Sequence, residues 1–391
     1  MPKRLRAILL GKVFIGLTVV TILLAMITLL CEQIVLSDGT LNFKIAKLEQ
    51  IPANQPFSFI VYGDTKDNTT IHKHLIKMFF KENKSNDVAF IVNTGDLVND
   101  GDQKEEWQQY FIEVVQPLAK KIPYFAAIGN HDYEAQGACK NFARLFRMYY
   151  TGYDFWYSFV YGNSIFIILD ANLMTYDEDF EIPPKRAKLQ YYWLENVLAS
   201  ASKDTRIKHK FIFFHEAPFV SAEKKLFGFA TYHLDHAKTL RTYKIDDNFF
   251  LDIFRKYDVD AVFLGHVHYY ERWIEKYKRE GDKKQITWVT TGGGGARNEQ
   301  KWHGFTLGMR PPTVLRKKEK NKRIRPYNRR AKRAKDITNW SLSQGYPTRR
   351  SETTRALENH YCIIHVDGNS IWLEVKNKKQ DLIEKAIIKK N

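Results

Sequence analysis

His266 and His268 stand two positions apart at the end of the apolar run Ala261-Val262-Phe263-Leu264, with Gly265 between run and ligands. Residues two apart on an extended chain point to the same side, so Gly265-His266-Val267-His268 aims two imidazoles into one space. Paired imidazoles of this kind are the donors a transition metal takes. Four further strand-like runs end in residues of ligand type. Phe57–Tyr62 leads to Gly63-Asp64, Val88–Thr94 to Gly95-Asp96, Tyr124–Ile128 to Gly129-Asn130-His131-Asp132, and Phe211–Phe214 to His215. Open α/β sheets bind ligands at the carboxyl ends of their strands, so the five endings can converge on one site.

The elements that must position them alternate. Residues 71–83, 103–118 and 190–198 carry apolar side chains at helical spacing between the strand-like runs, and strand–helix alternation argues for a layered α/β fold. His72 and His74, on the first of these helices, are expected to be solvated. Thr287–Ala296 reads as a strand entering four consecutive glycines; with no Gly-Lys-Ser/Thr following, these serve close backbone packing beside the site rather than a phosphate loop.

In this order the blocks resemble the calcineurin-like metallophosphoesterase superfamily, and Tyr270-Glu271-Arg272 after the last block is most similar to the purple acid phosphatase branch. The resemblance covers roughly residues 56–300 and the final strands. It implies a four-layer α/β/β/α sandwich and two metal ions (Fe, Mn or Zn) about 3.5 Å apart that orient a phosphate ester and activate water for in-line attack. Residue by residue it implies Asp96 as the bridging carboxylate, Asn130, His215 and His266 on the second metal, and Asp64 and His268 on the first. His131 would face the substrate and protonate the leaving oxygen, and Asp132 could orient its imidazole. The chain departs from the pattern twice. It has Asp64-Thr65-Lys66 where many relatives place a histidine two after the aspartate, and Asp96-Leu97-Val98-Asn99 where purple acid phosphatases place a tyrosine three after it. Asn99 or Asp67 could fill the first metal's shell. Lys66, which cannot ligate while protonated, could neutralise a phosphate oxygen; it and Asn99 are the candidate substrate-binding residues. His233, His236 and His303 read as ordinary loop histidines.

The 391 residues allow one large domain or two ordinary ones. Lys3, Arg4, Arg6 and Lys12 precede the 18 uncharged residues Val13–Leu30. We expect residues 1–12 to be a cytoplasmic flank and 13–30 a single-pass anchor, with the catalytic part translocated; secretion after signal cleavage is the alternative. No room remains for an N-terminal β-sandwich of on the order of 100 residues. The core is expected at 56–305, a basic insertion at 306–357, and strands completing the core at 358–391. Residues 308–356 hold 16 Lys or Arg against 3 acidic residues, most of the chain's net charge of +17. This segment is expected to be flexible and suits anionic lipid or another polyanion; translocation argues against genomic nucleic acid. Cys139 and Cys362 could form a disulfide in that compartment. The expected activity is phosphomonoester hydrolysis, with phosphodiester hydrolysis or polyanion binding without turnover as alternatives.

Overall fold

Strand β1 (Phe57–Tyr62) is buried at all six positions, which is why its sequence runs apolar without alternation. The computed structural model describes residues 41, 43–134, 139–146, 154–175, 185–220, 232–297 and 353–390. Phe59 and Val61 face a second sheet, whereas Tyr62 meets helix α1 (Thr69–Asn86), packing edge-on against Phe79 at 4.8 Å. The Asn68 side chain caps α1 by accepting from the Ile71 amide, and Asp87 in a left-handed conformation ends it. His72, Leu75, Ile76 and Phe79 form its buried stripe. His72 is therefore not solvated as expected: it is fully buried, its Nε2 lying 3.0 Å from the Tyr62 hydroxyl. His74 is exposed.

Chain order continues with β2 (Val88–Asn93) and β3 (Tyr124–Ala126), separated by helix α2, which runs from Lys104–Glu106 through a π-helical Trp107–Ile112 into Glu113–Ala119. There follow β4 (Tyr157–Tyr161), β5 (Ser164–Ile168), α3 (Lys185–Lys203), β6 (His209–Phe213), α4 (Tyr232–Thr242), the ribbon β7 (Lys244–Ile245) and β8 (Asn248–Phe249), and α5 (Asp252–Lys256). The last strands are β9 (Ala261–Leu264), β10 (Tyr270–Arg279), β11 (Asp282–Thr291), β12 (Thr353–Ala356), β13 (His360–Asp367), β14 (Ser370–Asn377) and β15 (Leu382–Lys389).

The strands form a mixed α/β sandwich with sheet orders β15-β14-β13-β1-β2-β3 and β12-β10-β11-β9-β6-β5-β4. β1, β2 and β3 run parallel, as do β5, β6, β9 and β11, so each sheet gathers its carboxyl strand ends at one edge. Phenylalanines hold the sheets together. Phe59 lies 5.2 Å from both Phe90 in its own sheet and Phe166 in the other, and Phe213 stacks on Phe263 at 5.3 Å. Such pairs contribute about 0.5–1.5 kcal/mol each beyond burial.

β13 pairs with β1 through Phe59↔Ile364 and Val61↔Cys362, so the C-terminal strands complete the first sheet. Thr353–Ala356, read from the sequence as the tail of the insertion, instead form the edge strand β12 beside β10. Residues 306–352 and the apolar stretch 13–30 lie outside the described residues. Among the described residues no helix is long and apolar enough to cross a membrane. Cys139 and Cys362 are both buried and are not joined, so the disulfide the sequence allowed is not formed; Cys362 Sγ instead lies 3.5 Å from Thr291 Oγ1.

Candidate active site

Asp64, Asp96 and His266 occupy the first turns after β1, β2 and β9 with φ of 57°, 57° and 67°, left-handed values that aspartate tolerates better than most residues. The turns brace one another: the Asp64 amide donates to the Gly95 carbonyl at 2.9 Å, and the Gly265 amide to the His215 carbonyl at 2.9 Å. Glycine is required where they touch. A Cβ on Gly129 would lie 2.3 Å from Asp96 Oδ1, and one on Gly292 would lie 2.3 Å from the Val267 carbonyl and 2.8 Å from Asp64 Oδ2. The close-packing role read for the glycines after β11 is thus the one seen.

His215 Nδ1 lies 2.9 Å from the Thr94 carbonyl. A carbonyl only accepts, so Nδ1 carries the proton and Nε2 of the neutral ring presents a lone pair. That lone pair faces Asp96 Oδ1 and Asn130 Oδ1, each at 3.2 Å, and His266 Nδ1 is 3.2 Å from the same Asn130 oxygen. Acceptors gathered this closely repel unless a cation sits among them. Two imidazoles, a carboxylate and a carboxamide oxygen are a donor set that fits zinc, manganese or iron. The charge balance says the same. Burial opposes protonation of His215, yet Asp96, Asp64 and Glu216 together push its pKa up to about 10, so a proton takes the place of a metal's charge.

Glu216 is absent from the residues singled out in the sequence. It is 1% exposed, and its Oε2 lies 3.2 Å from His266 Nε2 and 3.6 Å from His236 Nδ1. The Glu216 carboxylate faces His266 Nε2 as a charge and not as an aligned hydrogen-bond acceptor, which favours the proton on that nitrogen and leaves Nδ1 to the Asn130 side. His215, Glu216 and His266 also bring one donor atom each within 4.8 Å of one another. His236 is no loop histidine: it sits on α4 with its ring stacked on that of His266 at 5.6 Å. His233 lies on the same helix, and His303 is outside the described residues. In the sequence, the one trace of this arrangement is an acid directly after a strand-end histidine.

The first-metal residues also meet. Asp64, Asp96 and His268 place donor atoms within 4.8 Å of one another. His268 Nδ1 lies 2.9 Å from the Arg297 carbonyl, which turns Nε2 toward Asp64 Oδ1 at 3.5 Å. That Asp64 oxygen is buried without a hydrogen bond, and burial pushes the carboxyl's pKa up to about 7. Lys66 takes a different position from the one expected: its Nζ lies 2.5 Å from Asp96 Oδ2, buried, rather than open to a phosphate. Neither substitute ligand is in place. Asp67 Oδ2 accepts from the Arg297 amide at 3.3 Å, and the exposed Asn99 meets the site through its backbone carbonyl.

That carbonyl lies 2.7 Å from His131 Nδ1, which must therefore be the donor, leaving Nε2 on the outward side of a half-exposed ring. The expectation that Asp132 orients His131 is not met. Asp132 is fully buried, and its carboxylate is consumed by four backbone amides: Asp96 (2.9 Å) and Gly129 (2.8 Å) on Oδ2, Leu97 (2.8 Å) and Val98 (3.2 Å) on Oδ1. It holds the turn that carries Asp96 and touches no reacting group.

Residues 47–270 match the calcineurin-like phosphoesterase family. Among similar proteins, purple acid phosphatase 13 of Arabidopsis thaliana is 26% identical over 222 residues, covering 54% of this chain and 35% of that protein. Acid phosphatase type 7 of Homo sapiens is 24% identical over 240 residues, covering 59% of this chain and 52% of its own. Arabidopsis probable inactive purple acid phosphatase 24 is 25% identical over 210 residues, covering 50% and 31%. The matches thus span about a third to a half of these relatives' lengths. A solved structure, GAP50, the anchor in the inner membrane complex of Plasmodium, shares the fold with TM-score 0.52 and 15% identity, covering 86% of this chain and 89% of that one. The family and its purple acid phosphatase members imply a dinuclear metal centre at residues of the kind gathered here. The chain belongs to the calcineurin-like phosphoesterase family, on its purple acid phosphatase-like side.

Proposed function

We propose that the protein is a metal-dependent phosphoesterase that hydrolyses phosphate monoesters. The observation that carries this reading is the convergence of Asp96 Oδ1, His215 Nε2, Asn130 Oδ1 and His266 Nδ1. A metal held there supplies Lewis-acid polarisation of the phosphate and an activated water nucleophile. The chain's own residues do the rest. The Thr94 carbonyl fixes the His215 imidazole, the Glu216 charge lies beside the His266 imidazole, and Asp132 locks the Asp96 turn. His131, with Nδ1–H committed to the Asn99 carbonyl, acts in its imidazolium form: the Nε2–H bond breaks as the departing ester oxygen takes that proton, leaving the neutral ring. The test is phosphate release from a panel of mono- and diesters by stripped protein given Mn, Fe or Zn. Release from diesters alone would shift the reading to a phosphodiesterase, and no release from either would leave polyanion binding without turnover.

We further propose that residues 13–30 anchor the chain with its N-terminus in the cytoplasm and the catalytic unit outside, a reading supported by the basic residues ahead of that stretch. A cytoplasm-dependent reporter fused after Asn391 should be silent; a strong signal would overturn the topology. The basic insertion is proposed to hold anionic lipid. Deleting residues 308–352, which spares β12, should abolish salt-dependent binding to anionic vesicles while small esters are still turned over.

A further inference from the structure

The two halves of the site are not balanced, and Lys66 is the reason. Around Asp96 Oδ1 the half built from Asn130, His215 and His266 gathers an amide oxygen and two imidazole nitrogens beside the neutral His131 backbone N–H, which donates to that oxygen at 3.1 Å. The other half contains the acceptors Asp64 and His268 together with a cation of the protein's own, because the Lys66 ammonium lies 2.5 Å from Asp96 Oδ2. A carboxylate can hold two ions on a single oxygen, which here would set the Lys66 ammonium beside both, or give one oxygen to each, which needs Asp96 Oδ2. Here that oxygen is held by Nζ.

Lys66 has little freedom to leave. Its amide donates to the Asp96 carbonyl at 3.2 Å and that of Thr65 to the same oxygen at 2.9 Å, which ties the turn to the β2 loop. The residue is 5% exposed, and a buried ammonium without a partner is strongly unfavourable. An incoming divalent cation would meet a like charge a few ångströms away in surroundings with little water, where repulsion is far stronger than at the surface. The pocket formed by Asp64, Asp96 and His268 is the right size for an ion, with donors within 4.8 Å; what is filled is its charge requirement.

Resting on the reading of the site as a metal centre, we infer that Lys66 supplies the charge of the first ion and that this protein holds a single metal, at Asp96, Asn130, His215 and His266. The dinuclear centre implied by the family is thereby reduced to one metal and one ammonium.

The test is metal stoichiometry of the full chain, measured by elemental analysis and calorimetric titration of stripped protein with Mn or Zn, and needs no turnover. The wild type should take up one ion. Lys66→Met, which removes the charge and keeps the length, and Lys66→His, which restores a ligand, should each take up two. Lys66→Arg, which keeps the charge, should stay at one. Thermal unfolding of each variant establishes that it is folded before it is counted. Two ions in the wild type, or one ion in both folded Lys66→Met and folded Lys66→His, would overturn the inference while leaving the phosphoesterase reading intact. Uptake of no metal by any form would overturn both.

Discussion

Asp132 offers the sharpest separation between a catalytic and a positioning carboxylate. Asp132→Asn keeps size and shape but replaces one acceptor oxygen with an NH2 group. Whichever way the amide turns, two backbone N–H groups then face a donor: those of Asp96 and Gly129, or those of Leu97 and Val98. Each buried donor left unpaired costs about 1–3 kcal/mol. The substitution should therefore destabilise the fold by roughly 2–6 kcal/mol, a large share of the about 5–15 kcal/mol that a domain has in hand. Urea unfolding of stripped wild type and variant measures this directly, and the metal affinity of the refolded variant should fall because the Asp96 turn is no longer held. His131→Asn is the control, removing the imidazole that Asp132 would orient if it worked by that route. A loss of stability below about 1 kcal/mol, joined to a fall in turnover equal to that of His131→Asn, would refute the positioning role.

His131→Asn should itself lower turnover of esters with poor leaving groups by about 10²–10⁴-fold. Esters with good leaving groups should be much less affected and metal content unchanged. Glu216→Gln should weaken metal binding about 10–100-fold in a titration of stripped protein, the usual effect of losing the carboxylate behind a ligating histidine. Gly292→Ala should destabilise the folded chain in urea unfolding of stripped protein, since its Cβ would lie 2.3 Å from the Val267 carbonyl and 2.8 Å from Asp64 Oδ2. Burial pushes the pKa of His72 down to about 3 and that of His360 to about 4. Below the unfolded value of about 6.5 the unfolded chain binds protons that the folded one refuses, so stability is complete above that pH and falls as pH drops toward 3. Each histidine contributes up to about 1.4 kcal/mol per pH unit within its window. His72→Gln should flatten the slope of unfolding free energy between pH 6 and 4 by that amount, and an unchanged slope would contradict the assignment.

The order of strand endings made the fold and most of the site legible. Buried strands announce themselves by apolar runs, and the types and order of the residues beyond them carried Asp64, Asp96, Asn130, His215, His266 and His268. What stayed hidden depends on contacts made far along the chain. Asp132 looked like a partner of its neighbour His131, because nothing local shows that amides 34–36 positions earlier need its oxygens. His72 is a polar residue on an apolar helix stripe, and its burial follows from a Tyr62 hydroxyl on the strand beneath. Glu216 escaped because alternation along a strand would send it away from His215. β6 ends at Phe213, however, and beyond the strand that rule no longer applies. One helix came out longer than its apolar periodicity, Lys185–Lys203 against 190–198, because its added turns set exposed lysines beside buried alanines, Ala187 and Ala201, too small to mark a stripe.

The left-handed turn at Asp64 has a consequence for how such a protein diverges. A non-glycine residue at φ +57° costs about 1 kcal/mol, and here it also carries a buried carboxylate oxygen that accepts no hydrogen bond. Glycine at that position would remove both costs but would leave the buried His266 amide, which donates to Asp64 Oδ2 at 3.1 Å, without its acceptor, at about 1–3 kcal/mol. Selection for robustness alone therefore holds this carboxylate in place even where it carries no metal. A lineage that kept the sandwich for a purpose other than hydrolysis would keep Asp64 as a brace between the turns after β1 and β9.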